Sequence, residues 1–222
     1  MLNPIRLVKK IYQSNNAEPD RFSQLTLEQH EAELGIQLPA LLYHYLLELG
    51  NAKAINESHH QFIHFPFERL GEYILIGKTC DDDGVWGIHQ NDLKEHNPLV
   101  QMSRNFDALK QAEVHWFDTL PLAEFLLAQA INNGVNGGLA HHVQIYDFAG
   151  DTIPPDLGEK LANLAPAIQE ISDLNRPHEK YFATDDFGAV MVLNLDDGKP
   201  TAFLMGSQNP DLFDAWLHKL AL

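Results

Sequence analysis

The stretch "EYILIGKTCDDDGVWGIH", Glu72 to His89, sets the fold class. Tyr73 to Ile76 and Val85 to His89 are short aromatic and β-branched runs, and the residues between them are polar with glycine. Such runs separated by turn residues read as two antiparallel strands joined by an acidic turn. The same stretch also carries letters that suggest chemistry. A phosphate loop needs a glycine, four residues, and then Gly-Lys-Thr as a flexible cradle between strand and helix. Here Gly71 stands one position out of register from Gly77, "EYILI" is a strand, and the aspartates after Thr79 would repel phosphate. A calcium loop needs oxygen ligands at alternating positions and a closing glutamate. Asp81, Asp82 and Asp83 are consecutive, so they point to different sides, and "CDDDGVWGIHQND" lacks the glutamate. Spacing therefore turns both motifs into a turn between central strands.

Outward from this pair, "QFIHFPF" before it and "LVQM" after it are further short runs, and together they read as an antiparallel meander. Helical spacing precedes the meander. Ile5, Val8, Ile11 and Tyr12 share one helix face. Thr26 is placed to cap "TLEQHEAELG", with Gln29 completing a capping box and Gly35 ending the helix. Pro39 suits the first turn of "ALLYHYLLELG", whose stripe is Leu41, Leu42, Tyr45, Leu46 and Leu49, with Gly50 as the stop. After the meander, "FDTLPLAEFLLAQAINNG" carries the stripe Leu122, Phe125, Leu126 and Ile131, and "GVNGG" reads as a linker.

A second part starts near Leu139. "HHVQIYDF" suits a strand, and "PPDLGEKLANLAPAIQEISDL" suits one or two helices interrupted at Pro166. "VMVLNL" and "TAFLM" flank "DDGKP", whose Asp-Gly is a preferred hairpin pair. Asp211 to Leu220 closes as a helix. The second part echoes the first at an offset close to 105 residues: "TCDDDGVWGI", "NPLVQMS" and "WFDTLPLAEFL" run in the same order as "TDDFGAVMVL", "KPTAFLMGS" and "DLFDAWLHKL". The expected class is α+β, an antiparallel meander flanked by helices over 1–133, with a C-terminal α+β extension or degenerate second copy over 139–222.

The 222 residues suffice for one large domain or two smaller ones, and 45% apolar with 21% charged residues is ordinary for a soluble globular chain. The formal charge of -16 excludes a nucleic-acid or anionic-membrane surface as the natural partner and favours a basic one, though acidity also serves solubility alone. The single cysteine, Cys80, permits no intrachain disulfide. "MLNPIRLVKKIYQ" lacks the pattern of a signal peptide, and "LPALLYHYLLEL" is too short and interrupted to span a bilayer. A cytoplasmic protein is the expectation.

Residues suited to catalysis are scattered. Among twelve histidines, His59, His60 and His64 cluster, and His141 and His142 are adjacent. Read as a strand, "HHQFIHFPF" puts His60 and His64 roughly 13 Å apart, so no metal and no cofactor is expected. Cys80 sits beside three aspartates that disfavour its thiolate. No nucleophile elbow occurs, and no carboxylate pair is singled out.

"EAELGIQLPALLYHYLLELGN" resembles the opening of the SUKH superfamily, the family of the fungal Smi/Knr cell-wall synthesis regulators, through Leu38-Pro39 and the apolar helix after it, although Gly50-Asn51 stand in reversed order. "EYILIGKTCDDDGVWGIH" is similar to the family's central strand pair, "NPLV" to its next strand entry, and "WFDTLPLAEFLLAQ" to its closing helix. The resemblance covers roughly Leu25 to Ile131. It implies an α+β fold, no catalysis, and a protein-binding role: bacterial members are mostly regarded as immunity proteins that neutralise a cognate toxin, and fungal members as regulators. A basic toxin domain is then the expected partner. The residues expected to touch it are Asp81, Asp82, Asp83, Trp86 and Asp92, on the acidic turn and beside it. A solvated acidic turn with Trp86 in the core is the other reading of the same residues. A regulatory or scaffold protein, and a hydrolase with an unrecognised carboxylate pair, are the competing functions.

Overall fold

The computed structural model describes residues 3–13, 21–81, 84–104, 115–147, 153–164 and 166–220. The fold is α+β, with seven α-helices and two antiparallel five-stranded sheets among these residues. The chain forms two compact units. Unit 1 comprises residues 1–5 and 16–129, and unit 2 comprises residues 6–15 and 130–222.

Helix α1 (Pro4–Tyr12) buries Val8, Ile11 and Tyr12. All but its first two residues belong to unit 2.

Unit 1 proper opens with α2 (Gln24–Leu34). Its N-cap is Ser23, whose hydroxyl accepts the Thr26 N–H at 3.0 Å, rather than Thr26 itself. Gly35 ends α2 in the left-handed conformation at φ 65, where a glycine is favoured. Helix α3 (Ala40–Leu49) starts directly after Pro39 and buries Leu42, Tyr45, Leu46 and Leu49. A short α4 (Lys53–Asn56) follows. Its Asn56 is 1% exposed and fully used: Nδ2 donates to Leu49 O at 2.6 Å and Gly50 O at 3.0 Å, and Oδ1 accepts from Tyr45 OH at 2.9 Å.

The sheet of unit 1 is a plain meander of β1 (Glu68–Leu70), β2 (Tyr73–Lys78), β3 (Gly84–His89), β4 (Leu99–Arg104) and β5 (Phe117–Pro121). "QFIHFPF" is not a regular strand. It touches β2 through a single bridge, Gln61 to Lys78, and through the His64 N–H on Ile76 O at 2.7 Å. Gly77 permits this approach, since a Cβ there would lie 2.5 Å from Phe62 O. "FDTLP" is strand rather than helix, and α5 (Leu122–Asn133) begins at the next residue. Phe125 of α5 meets Phe62 and Trp86 edge to face, and Tyr45 packs on Phe62, so these rings form the centre of the core.

Unit 2 holds the second sheet, in the order β6 (His141–Tyr146), β10 (Lys199–Ser207), β9 (Ala189–Asp196), β8 (Glu179–Thr184) and β7 (Ile168–Glu170). "IQE" is therefore a strand, after α6 (Leu157–Asn163). The β9–β10 turn has Asp197 at φ 47 and Gly198 at φ 78, the two positive angles that a type I′ hairpin requires. Phe182, Met191, Leu193, Phe203 and Met205 face α6 and α7 (Pro210–Leu220) through Leu157, Leu161, Trp216 and Leu220. Each such buried side chain contributes about 1.5–3 kcal/mol.

The opposite sheet face carries Tyr181, whose hydroxyl accepts from Asn132 Nδ2 at 3.0 Å. "GVNGG" covers this face too and is no linker. It continues α5 as a π turn, with Val135 fully buried. A Cβ on Gly134 would lie 2.9 Å from Leu139 Cδ1 and 3.2 Å from Tyr12 OH, so this glycine serves close packing. The division between units accordingly falls at Gln129/Ala130, inside α5.

The two sheets repeat one ladder. Gly77 pairs with Trp86 and Lys78 with Val85, while Phe182 pairs with Met191 and Ala183 with Val190, each 105 positions later. Trp86 then pairs with Met102, and Met191 with Met205. The fifth strand differs in origin. It is β5, after the meander, in unit 1, and β6, before it, in unit 2.

Candidate functional site

Of the five residues expected to meet a partner, the three described, Asp81, Trp86 and Asp92, do not form one surface. Trp86 is 4% exposed and packs on Phe125 and edge-on to His60, so its ring is core and is not offered to a partner. This corrects the expectation. The cause is the place of β3 at the centre of its sheet, where both faces are covered and Gly84 to Ile88 are all buried. Asp81 is exposed at one end of β3, and Asp92 is half-buried in a 3-10 turn at the other. A six-residue strand separates these ends by roughly 17 Å. Asp82 and Asp83 lie outside the described residues.

Two distinct places result. The first surrounds Cys80 and Asp81. Thr79 closes the turn: its hydroxyl accepts the Gly84 N–H at 2.8 Å, and its own N–H donates to Gly84 O at 2.9 Å. This leaves Cys80 exposed. The bridge between Gln61 and Lys78 draws the preceding residues alongside. Cys80 N–H donates to His60 Nδ1 at 3.2 Å, and Cys80 Sγ lies 3.9 Å from His59 Nε2. The imidazoles of His59 and His60 pack with centroids 4.3 Å apart. One ligand atom each from His59, His60 and Cys80 falls within 4.8 Å of the others. Burial holds the His60 imidazole down to about 4, helped by His59 and opposed by the Asp81 carboxylate. Burial lowers His59 also, again against Asp81.

Sequence spacing missed this trio. The signal that could have found it is the adjacency of His59 and His60 taken together with a strand pairing that sets Gln61 opposite Lys78. His64 goes elsewhere, to a cavity of about 340 Å³ lined with Gly77 and Gly84. His141 and His142 separate as well: His141 lies against Phe213, and His142 Nδ1 against Leu139 O.

The second place is a recess of about 1020 Å³ in unit 1, between α2, α3 and the loop over residues 90–96. Glu28, Glu31, Tyr43 and Glu95 line it, with Arg69 and Lys94. Two ties hold its walls. Glu31 Oε1 accepts the Leu38 N–H at 2.6 Å, fixing the α2–α3 corner. Arg69 donates to Leu34 O and Gln90 Oε1, both at 3.1 Å, joining the end of α2 to the loop. Burial and then the charges of Glu28 and Glu31 push the Tyr43 phenol up.

No helix among the described residues is long and apolar enough to cross a membrane. The chain matches no protein-family model, no curated protein and no solved structure.

Proposed function

We propose that the protein is a non-enzymatic, cytoplasmic protein-binding module, an immunity protein of the SUKH type that neutralises a basic toxin domain by covering it. The observation that carries this reading is the recess between α2, α3 and the 90–96 loop. Small-molecule sites are mostly apolar and largely enclose their ligand. This recess is as large as the largest of those sites, yet ionic and hydrogen-bonding side chains outnumber the apolar ones, Ile36, Leu38, Ala40 and Leu93, in its walls. Such a lining suits an inserted loop of another protein. Tyr43 is the type of residue that anchors interfaces, and Glu28, Glu31 and Glu95 supply the charge that a basic loop would meet. The net charge of -16 speeds the encounter at low salt. The fold class and the resemblance over Leu25 to Ile131 support the same reading.

The test is co-purification from the native host with tagged protein, followed by the variants Glu28→Lys and Tyr43→Ala. The expected result is a basic protein, released by salt, that both variants fail to retain and whose toxicity the wild-type chain suppresses in cells. Recovery of no basic partner, or equal retention by the recess variants, overturns the proposal.

A further inference from the structure

We propose that His59, His60 and Cys80 form a binding site for one zinc ion, with the fourth coordination position open beside Asp81. The inference is independent of the recess and of the protein-binding reading.

The donor set comes first. Two imidazoles and a thiolate are borderline and soft ligands, which suit zinc and not calcium or magnesium. Zinc bonds of about 2.0–2.3 Å give tetrahedral edges of roughly 3.5 Å between ligand atoms. The Sγ to His59 Nε2 separation of 3.9 Å and the 4.8 Å limit on the trio need only a small contraction to reach that figure. The contraction is available because Cys80 is exposed and both histidines are half-exposed. The frame behind them is rigid. Thr79 is locked to Gly84 on one side, and the Gln61–Lys78 bridge fixes the approach of the histidines on the other.

The protons can be followed. His60 Nδ1 now accepts the Cys80 N–H, so the neutral ring carries its proton on Nε2. An incoming ion takes the Nδ1 lone pair in place of that N–H, and Nε2 keeps its proton. His59 binds through Nε2, the atom nearest the sulfur. The thiol forms the S–Zn bond and releases its proton to water, so binding one Zn²⁺ frees one H⁺ from Cys80. Three protein ligands leave one position for water, for a partner's side chain, or for the Asp81 carboxylate. Asp81 acts on both imidazoles through its negative charge, which favours a cation there.

The experiment uses the full chain, reduced and stripped with chelator, titrated with Zn²⁺ against a chromophoric competitor and, separately, with Co²⁺. One equivalent of zinc is expected. A thiolate-to-cobalt charge-transfer band is expected too, and it reports Cys80 directly because this is the only cysteine in the chain. Cys80→Ser and His59→Ala should each weaken zinc binding by at least about tenfold, since even losing an outer partner of a ligand costs that much. His141→Ala, at the unrelated histidine pair, should leave binding unchanged. Circular dichroism of the metal-free variants should match the wild type. No one-equivalent binding by the reduced wild type, or no thiolate band with cobalt, overturns the site without reference to any variant. Undiminished binding in both Cys80→Ser and His59→Ala overturns it equally, as does an equal loss in His141→Ala.

Discussion

Thr184 and Ala189 meet across the β8–β9 turn: the Thr184 hydroxyl accepts the Ala189 N–H at 3.0 Å and donates to Asp186 Oδ1 at 2.8 Å. Thr79 holds Gly84 in the same way across the β2–β3 turn. Both threonines are buried, at 4% and 8% exposure, so water does not replace a lost partner. Thr184→Val keeps the shape and removes the hydroxyl. It should lower stability by about 1–3 kcal/mol, the cost of leaving a buried donor unmet, while Thr184→Ser should recover most of the loss. Denaturant midpoints for the three proteins decide the matter, and equal midpoints would refute it.

Asp186 gives the same turn a pH dependence. The Gly188 N–H first and the Thr184 hydroxyl second hold its carboxyl below the ordinary 3.8. A carboxylate depressed in the folded state stabilises above the unfolded pKa and loses that contribution as pH falls through the folded one. The stability difference between wild type and Asp186→Asn should therefore be full at neutral pH and close below about pH 4. Thermal unfolding at several pH values checks this. A difference that grew on acidification would have the wrong sign.

Gly77 carries a steric prediction. A Cβ there meets the backbone of Phe62 at 2.5 Å, and backbone yields less readily than a side-chain tip. Gly77→Ala should cost about 2 kcal/mol, in the range of overpacked cores, and should loosen the His59–His60 segment. Amide exchange around residues 59–64 should rise with the drop in midpoint. A neutral substitution would show that the close approach is not required.

Asn56 joins α3 to the segment after it through three buried hydrogen bonds. Asn56→Ala removes the amide from Gly50 O, one of two donors from Leu49 O, which keeps the Ala52 N–H, and one acceptor from the Tyr45 hydroxyl, and should cost about 1–3 kcal/mol. Tyr45→Phe removes one partner only and should cost about 1 kcal/mol. The double variant should cost less than the sum of the two, because both share the Tyr45–Asn56 bond.

The parts of the fold that follow from local chemistry could be read directly. Gly35 needs a positive φ, Asp197-Gly198 needs two, and the runs of β2, β3 and β4 alternate with clear turn residues. Where adjacent elements meet without a loop, the reading failed. Phe117–Pro121 runs straight into α5, and its leucine merges with the helical stripe. Ile168–Glu170 is a three-residue edge strand whose pairing comes from β8 rather than from its own pattern. "GVNGG" has the composition of a linker, but Val135 and the close fit of Gly134 make it packing. Ser23 outcompeted Thr26 as a cap because it stands one residue ahead of the helix and reaches the Thr26 N–H. The site fared worse. Trp86 followed its strand into the core, and the approach of His59 and His60 to Cys80 depends on a pairing over 17 residues, from Gln61 to Lys78, that no periodicity encodes.

Helix α1 has a consequence in time. It is synthesised well before the rest of its unit: Tyr12 donates to the carbonyl of Ala130, a separation of 118 residues. At a synthesis rate of about 5–20 residues per second, its partner is made roughly 6–24 s later. Throughout that interval Val8 and Ile11, fully enclosed in the finished molecule, have nowhere of their own unit to go. Residues 16–129 of unit 1 are made in that same interval, so the apolar face of α1 is synthesised ahead of every later segment that encloses it.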